Sequence, residues 1–225
     1  MLGTHFSRIV EQVAKGRRSM AEFRYDATQG RRGNSSLAVC DQIILAAQTH
    51  FRKYGYKRTT ISGIATDIGY SKAYIYKFFE SKRSLGEVIC TRLFAQMIEH
   101  VNVRIAEEVS QTARMRTLVR ELATQSMALW LNERNLHDIA STSFIERWAC
   151  SQAYVDQIME ILALIVIEGR RGREFERKTP MDEILRALLR AMFPLCNPAM
   201  SQYIQRDFPE GANDIANLVL RSLVP

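Results

Sequence analysis

The chain has 225 residues, of which 47% are hydrophobic and 24% charged, with a formal net charge of +7. That composition excludes a disordered chain and allows a sizeable core. Four scattered cysteines (Cys40, Cys90, Cys150, Cys196) and four histidines (His5, His50, His100, His137) form no C-x-x-C pair and no metal-ligand spacing, so they suggest neither a zinc site nor a disulfide framework. Each cysteine reads as a small core residue, and no metal or cofactor is expected.

Charge is unevenly placed: residues 1–36 carry +4, residues 37–84 carry +5 and residues 85–225 carry −2. The first 36 residues combine a short amphipathic pattern at 7–14 with basic, glycine-containing stretches around Arg17-Arg18 and Arg31-Arg32, and read as an extension. An apolar pattern through Ile43, Ile44, Ala47 and Phe51 then predicts a first helix, closed by Tyr54-Gly55-Tyr56. Thr60 is a good N-cap for a second helix that buries Ile61, Ile64, Ala65 and Ile68. Gly69 stands where the chain must turn sharply. Ser71 can cap a third helix whose buried side is Ala73 or Ile75 together with Phe79. Lys72, Tyr74, Tyr76 and Lys77 are left to face outward. Exposed tyrosines interleaved with lysines on a short helix after a glycine turn suit a DNA groove, where they meet phosphates and thymine methyls. No segment shows sustained strand alternation, so the fold class is all-α.

These residues resemble the TetR family of transcriptional regulators, whose members carry a pattern near TT-x-x-x-IA-x-x-x-G-V-S-x-G-x-LY-x-x-F-x-SK-x-x-L. Thr59-Thr60, Ile64-Ala65, Gly69, Ser71, Ile75-Tyr76, Phe79, Ser81-Lys82 and Leu85 stand in that register. The match covers roughly 37–97, and its joint spacing is specific. It departs at Tyr70, where the family has a small aliphatic, and at Ala73, where it has glycine. Gly63 lies inside the second helix, at about 1 kcal/mol relative to alanine. Beyond the basic extension (1–36), which is longer than the arm usual in the family, the resemblance implies a three-helix DNA-binding domain (37–97, motif 60–79) and a helical regulatory and dimerisation domain (98–225), joined by a long helix. It further implies that Lys72, Ala73 and Tyr74 face base edges. Thr60, Tyr76, Lys77 and Lys82 would hold phosphates, with Ser71 capping the recognition helix. For the extension, a disordered segment with Met20 as initiator is favoured over a basic arm using Arg31 and Arg32.

Downstream, a long helix is expected over 81–107, its stripe made by Leu85, Val88, Ile89, Leu93, Met97 and Val101. Further helices are expected over 115–131, 135–147 and 154–168. The last of these is apolar almost all round, buried on every side, and stopped by Gly169 and Gly172. Its densest run, 161–167, is far below the roughly 18 residues of a membrane span, and no secretory signal pattern opens the chain. A cytoplasmic protein without membrane association is therefore expected. Two amphipathic helices close the chain. The first, 181–193, carries Ile184, Leu185, Leu188, Leu189 and Met192 and ends at Pro194; the second, 213–223, carries Ile215, Leu218, Val219 and Leu223. Their stripes fit a homodimer interface of the TetR kind and fit a plain core equally well. The segment GRRGREF with Phe193-Pro194 resembles an AefR-like C-terminal domain.

The function expected is a ligand-responsive regulator, a repressor, acting as a homodimer on double-stranded DNA with an inverted-repeat operator. A small apolar or amphipathic effector is expected among Met127, Trp130, Phe144 and Trp148, with Glu146 and Arg147 as polar anchors. Two other classes stand beside it. A basic all-α protein at an anionic membrane surface would need a long basic amphipathic helix, whereas the basic residues here cluster on a turn motif. An all-α enzyme would need a nucleophile, a metal cluster or a phosphate-cradling glycine loop, none of which the sequence offers; no catalytic residue is assigned.

Overall fold

The computed structural model describes residues 34–225, with side chains from Leu37 onward, and every regular element among the described residues is helical. The extension read at 1–36 therefore lies almost wholly outside the described residues, and Arg31 and Arg32 lie outside them altogether. Helix α1 (Asn34–Tyr54) buries Ile43, Ile44, Ala47 and Phe51 and leaves Leu45 outside. It ends at Gly55, whose φ of +80° puts the chain in the left-handed region. Helices α2 (Ile61–Asp67) and α3 (Lys72–Ile75) follow, and α4 (Lys82–Ala106) carries the chain away from them. Along α4, Leu85, Ile89, Met97 and Val101 are buried, as are Cys90, Phe94, Ile98 and Ile105, while Val88 and Leu93 are half-buried. The body is completed by α5 (Gln111–Asn132), α6 (Arg134–Ile145), α7 (Ala149–Arg171), α8 (Met181–Cys196), a 3₁₀ turn (Pro198–Met200), α9 (Ser201–Ile204) and α10 (Glu210–Ser222). Helix α4 packs along α7 and α5, and α5 packs against α10 and α8.

Several helices depart from what periodicity predicts. Helix α7 is not buried all round: Leu164 is 51% exposed and forms part of an outer face. Among the described residues it is the one helix long and apolar enough to cross a membrane, yet most of its apolar window is buried as the core of the body. Gly169 does not stop it. The helix runs past Gly169 because Phe175 folds back onto that turn, where an added Cβ would lie 2.1 Å from the phenyl ring. Pro194 does not end α8 either; burial of Leu195 and Cys196 holds the last turn helical even though proline supplies no N–H.

The stripes on α8 and α10 resolve in favour of the core. Ile184, Leu185, Leu188 and Met192, with Val219 and Leu223, are buried inside the protomer, whereas Leu218 is 59% exposed. The DNA-binding head sits on this body through a small aromatic junction. Tyr56 meets Trp148 edge-on with ring centroids 5.4 Å apart, and both rings approach Gly86 of α4 so closely that a Cβ there would lie 3.1–3.2 Å from them. Asn135 of α6 donates from Nδ2 to the carbonyl of Arg52, tying α6 to the end of α1.

Candidate nucleic-acid interface

The head is set by hydrogen bonds that a short polar side chain or a glycine can make. Thr60 caps α2 by accepting from the N–H of Gly63 at 3.0 Å. An alanine Cβ at position 63 would press on that Thr60 hydroxyl at 3.3 Å, so the missing side chain leaves room for the cap. After α2, Gly69 takes φ +73° and the N–H of Tyr70 reaches back to the carbonyl of Ala65 at 2.9 Å, the left-handed exit that reverses the chain. Ser71 then caps α3 through the N–H of Tyr74 at 3.1 Å. Inside, Ile61, Ile64, Ala65, Ile75 and Phe79 are buried, and the His50 ring pairs with the Asp67 carboxylate at 2.7 Å, pinning α1 to the end of α2.

Outside, α3 presents an exposed surface made by Ser71, Lys72, Ala73, Tyr76 and Lys77; Ala73 is on this surface and Ile75 fills the core. Tyr74 stands differently from Tyr76. Its ring lies between Tyr70, 4.9 Å away, and Phe78, 5.4 Å away, so it is half-buried in an aromatic row. Lys77 lies over the Tyr74 ring and Lys72 over that of Tyr76, each cation covering the neighbouring π face. The Tyr70 hydroxyl at the end of the row donates to the side-chain carbonyl of Gln42.

Lys82 faces inward. Its ammonium donates to the carbonyls of Tyr56 (2.9 Å), Thr59 (3.1 Å) and Lys57 (3.3 Å) and covers the Tyr56 ring. Desolvation lowers its pKa from the ordinary lysine value. With its three donors taken by carbonyl oxygens, this side chain orders the turn before Thr60 and offers no free donor to a phosphate. At the same helix start, Ser81 and Ser84 cap each other reciprocally, at 3.0 and 3.1 Å. Sequence reasoning passed over Lys57 and Arg58, both exposed in that turn; the charge of 37–84 was the available signal.

The four residues expected around an effector are not brought into one cavity. Trp148 is fully buried at the junction, its Nε1–H donating to Glu146 at 2.8 Å, with the Arg83 guanidinium over its ring. Trp130 lies near the other end of α6. It donates to Gln205 and meets the edge of His137, with Arg134 stacked above it. Met127 is buried on α5, and Arg147 is exposed with φ +54° in the reversal between α6 and α7. The separation has a simple cause. Trp130 and Trp148 flank α6, so the length of that helix holds them apart. Phe144 alone enters a larger aromatic cluster: it packs against Phe94, Tyr154 and Phe193, and Tyr154 stacks on Phe94 at 4.6 Å. The Tyr154 hydroxyl is buried without a hydrogen-bond partner, and burial pushes its pKa well above the usual tyrosine value. An open cavity of about 410 Å³ lies elsewhere, near the chain end, between Arg116, Phe175, Leu220 and Arg221.

A basic three-helix head with a glycine-turned recognition helix, carried by a long helix on an all-α body, defines a DNA-binding regulator of the helix-turn-helix class. Residues 43–88 match the model for bacterial regulatory proteins of the tetR family, and residues 112–216 match the tetracyclin repressor-like C-terminal domain. The chain belongs to the TetR family of transcriptional regulators. It is 26% identical over 160 residues to the nucleoid occlusion factor SlmA of Escherichia coli O127:H6, covering 68% of this chain and 76% of that protein. Its fold is similar to FadR of Bacillus subtilis in complex with stearoyl-CoA (TM-score 0.56, 19% identity, 82% of this chain and 97% of that one). It is likewise similar to FadR of Thermus thermophilus in complex with lauroyl-CoA (TM-score 0.58, 19% identity, 82% and 95%).

Proposed function

We propose that this regulator is a repressor that binds an inverted-repeat operator as a homodimer, through α3. The observation that carries the reading is the outward surface Ser71, Lys72, Ala73, Tyr76 and Lys77 on a head whose residues 37–84 carry a net charge of +5, against −2 for residues 85–225. Ala73 and the edge of Tyr74 address bases. Thr60, Tyr76 and Lys77 hold phosphates, Lys72 reaches base edges from the first turn, and Lys82 acts by ordering the turn that positions Thr60. The partner protomer docks on the outer faces of α8 and α10, where Phe193 and Leu218 are exposed. Selection of bound duplexes from a random pool tests this directly. The expected winners carry two half-sites in inverted repeat, bound with a steep loss of affinity as salt rises. A single asymmetric half-site, with light scattering giving 25.8 kDa for the free protein and one such protomer per duplex in the complex, overturns it.

Effector control is assigned to the body, with a small apolar or amphipathic molecule entering beside Phe94, Phe144 and Tyr154. The unpartnered Tyr154 hydroxyl supports this placement, since a buried donor without an acceptor is costly unless something supplies one. Two relatives of the same fold hold acyl-CoA thioesters, which supports the amphipathic class. Lauroyl-CoA and stearoyl-CoA are the first probes. Tyr154→Phe is expected to keep DNA binding and weaken a ligand that binds the parent by about tenfold, one lost hydrogen bond. Equal affinity of both proteins for such a ligand moves the site elsewhere.

A further inference from the structure

At the end of the body remote from the head, the open cavity of about 410 Å³ lies between α5, α10 and the segment that follows α7. On α10 it is lined by Asn217, Leu220, Arg221 and Val224, whose i, i+3, i+4, i+7 spacing makes one stripe. That stripe is centred roughly a third of a turn round the helix from Leu218, so it is not the face given to the partner protomer. The walls are held in place. Phe175 packs onto Gly169, and the N–H groups of Glu174 and Phe175 donate to the Gly169 carbonyl at 2.8 and 3.1 Å. The N–H of Glu176 donates to the Leu223 carbonyl at 2.9 Å and pins this segment to α10. Arg116 Nη1 donates to Asn217 Oδ1 at 2.8 Å and ties α5 to the same helix.

The cavity holds positive charge that the protein does not compensate. Glu174 lines it, but its carboxylate oxygens accept from the N–H groups of Gln111 and Thr112 at 2.9 and 2.8 Å, and Ser110 accepts from that of Ala113. The first turn of α5 therefore has its donors taken, and recognition of an anion falls to the two guanidinium groups. Neither Arg116 nor Arg221 is ion-paired with a carboxylate among the described residues, whereas Arg104, Arg170, Arg171 and Arg186 of the same body all are. Arg116 spends one N–H on Asn217, and Arg221 makes no side-chain hydrogen bond to a described residue. The apolar part of the lining is Phe175, buried, Leu220, half-buried, and Val224, exposed.

We propose that this cavity binds a small organic carboxylate with an apolar body, the carboxylate held by Arg116 and Arg221 and the body lying against Phe175, Leu220 and Val224. A guanidinium fork matches a carboxylate through two parallel hydrogen bonds. At about 30 Å³ per atom the volume admits roughly a dozen non-hydrogen atoms, the size of 2-naphthoate. The site is separate from the operator surface and from the aromatic cluster around Tyr154.

Calorimetric titration of the full chain with 2-naphthoate tests this. Saturable binding is expected with a Kd of about 1 mM or tighter, the value a ligand of this size reaches at modest efficiency per atom. The neutral 2-naphthalenemethanol, which keeps the body and removes the charge, should bind at least about fivefold more weakly. Arg221→Gln, at an exposed position, should weaken 2-naphthoate by about fivefold while the thermal melt stays unchanged. Arg116→Gln, which also loses the bond to Asn217, should weaken it by a similar factor. Absence of saturable binding up to about 10 mM overturns the proposal. So does equal affinity of the parent and a folded Arg221→Gln protein, or equal affinity for the carboxylate and the alcohol. Affinity lost in Tyr154→Phe and kept in both arginine variants places the ligand at the aromatic cluster, and equally overturns it.

Discussion

The head and the body of this regulator are built from different kinds of constraint. In the head, single atoms decide the geometry: the Thr60 and Ser71 hydroxyls cap α2 and α3, Gly69 turns at φ +73°, and the Lys82 ammonium holds three carbonyls. In the body, shape decides: α7 and α8 keep their helical form through Gly169 and Pro194 because of what packs on them. Local hydrogen-bond chemistry is tied to residue type, whereas packing is shared among many interchangeable apolar side chains.

The largest effects should separate core from surface in the body. Leu188→Asp places an unpaired charge in a site that is 3% exposed and is expected to cost more than about 4 kcal/mol, preventing folding. Leu218→Asp, on an exposed position, should change monomer stability by less than about 0.5 kcal/mol while abolishing the dimer. Urea melts and light scattering on both variants read the two outcomes. A folded Leu188→Asp protein would show that α8 is not core.

Next come the glycines, one from each region. Gly169→Ala must displace the Phe175 ring and is expected to cost about 2–3 kcal/mol. Gly69→Ala meets nothing within 4 Å and bears only the left-handed backbone penalty, about 1–2 kcal/mol. If chemical denaturation ranks them the other way, the contrast between packing and backbone control fails at these sites.

On the recognition helix the two tyrosines should diverge. Tyr76→Phe is expected to weaken binding to all duplexes alike by about 1 kcal/mol, roughly fivefold. Tyr74→Ala should alter preference among sites and also lower stability by about 1 kcal/mol, because it removes the middle ring of the Tyr70–Tyr74–Phe78 row. Gel shifts over a panel of duplexes, with melts alongside, distinguish them; identical profiles would remove the distinction.

The smallest effect concerns acid. His137 is buried, its Nε2 is 2.8 Å from the Pro198 carbonyl, and burial lowers its pKa below 6.5. A histidine held neutral in the fold binds fewer protons than in the unfolded chain, so stability should fall as pH drops through and below 6.5. His137→Gln should flatten that part of the profile. An unchanged slope would assign the acid sensitivity to other groups.

The contrast also explains what could be read beforehand. Thr60, Gly69, Ser71 and Phe79 were legible because each residue type answers one local requirement, the choice between Ala73 and Ile75 for the core was not, and the long helix α4 was expected within a residue or two of its bounds. The inward turn of Lys82 was not, because the carbonyls it meets lie 23–26 residues earlier. Periodicity located the body's helices but not their partners: a stripe such as Ile184, Leu185 and Leu188 looks the same whether it faces its own core or a second protomer. The placement of Trp148 against Tyr56 depended on tertiary packing that spacing does not encode.

The separation of the two tryptophans gives the molecule a pair of optical reporters at known addresses. Trp148 is wholly shielded at the joint between head and body, beneath the Arg83 guanidinium and against Tyr56, so its emission should be blue-shifted and resistant to iodide. Trp130 is partly open at the far end of α6, edge-on to His137, and should be redder and more readily quenched. Single-tryptophan versions would thus let movement of the joint be followed separately from rearrangement at the distal end of α6, in the unlabelled protein and on the timescale of mixing.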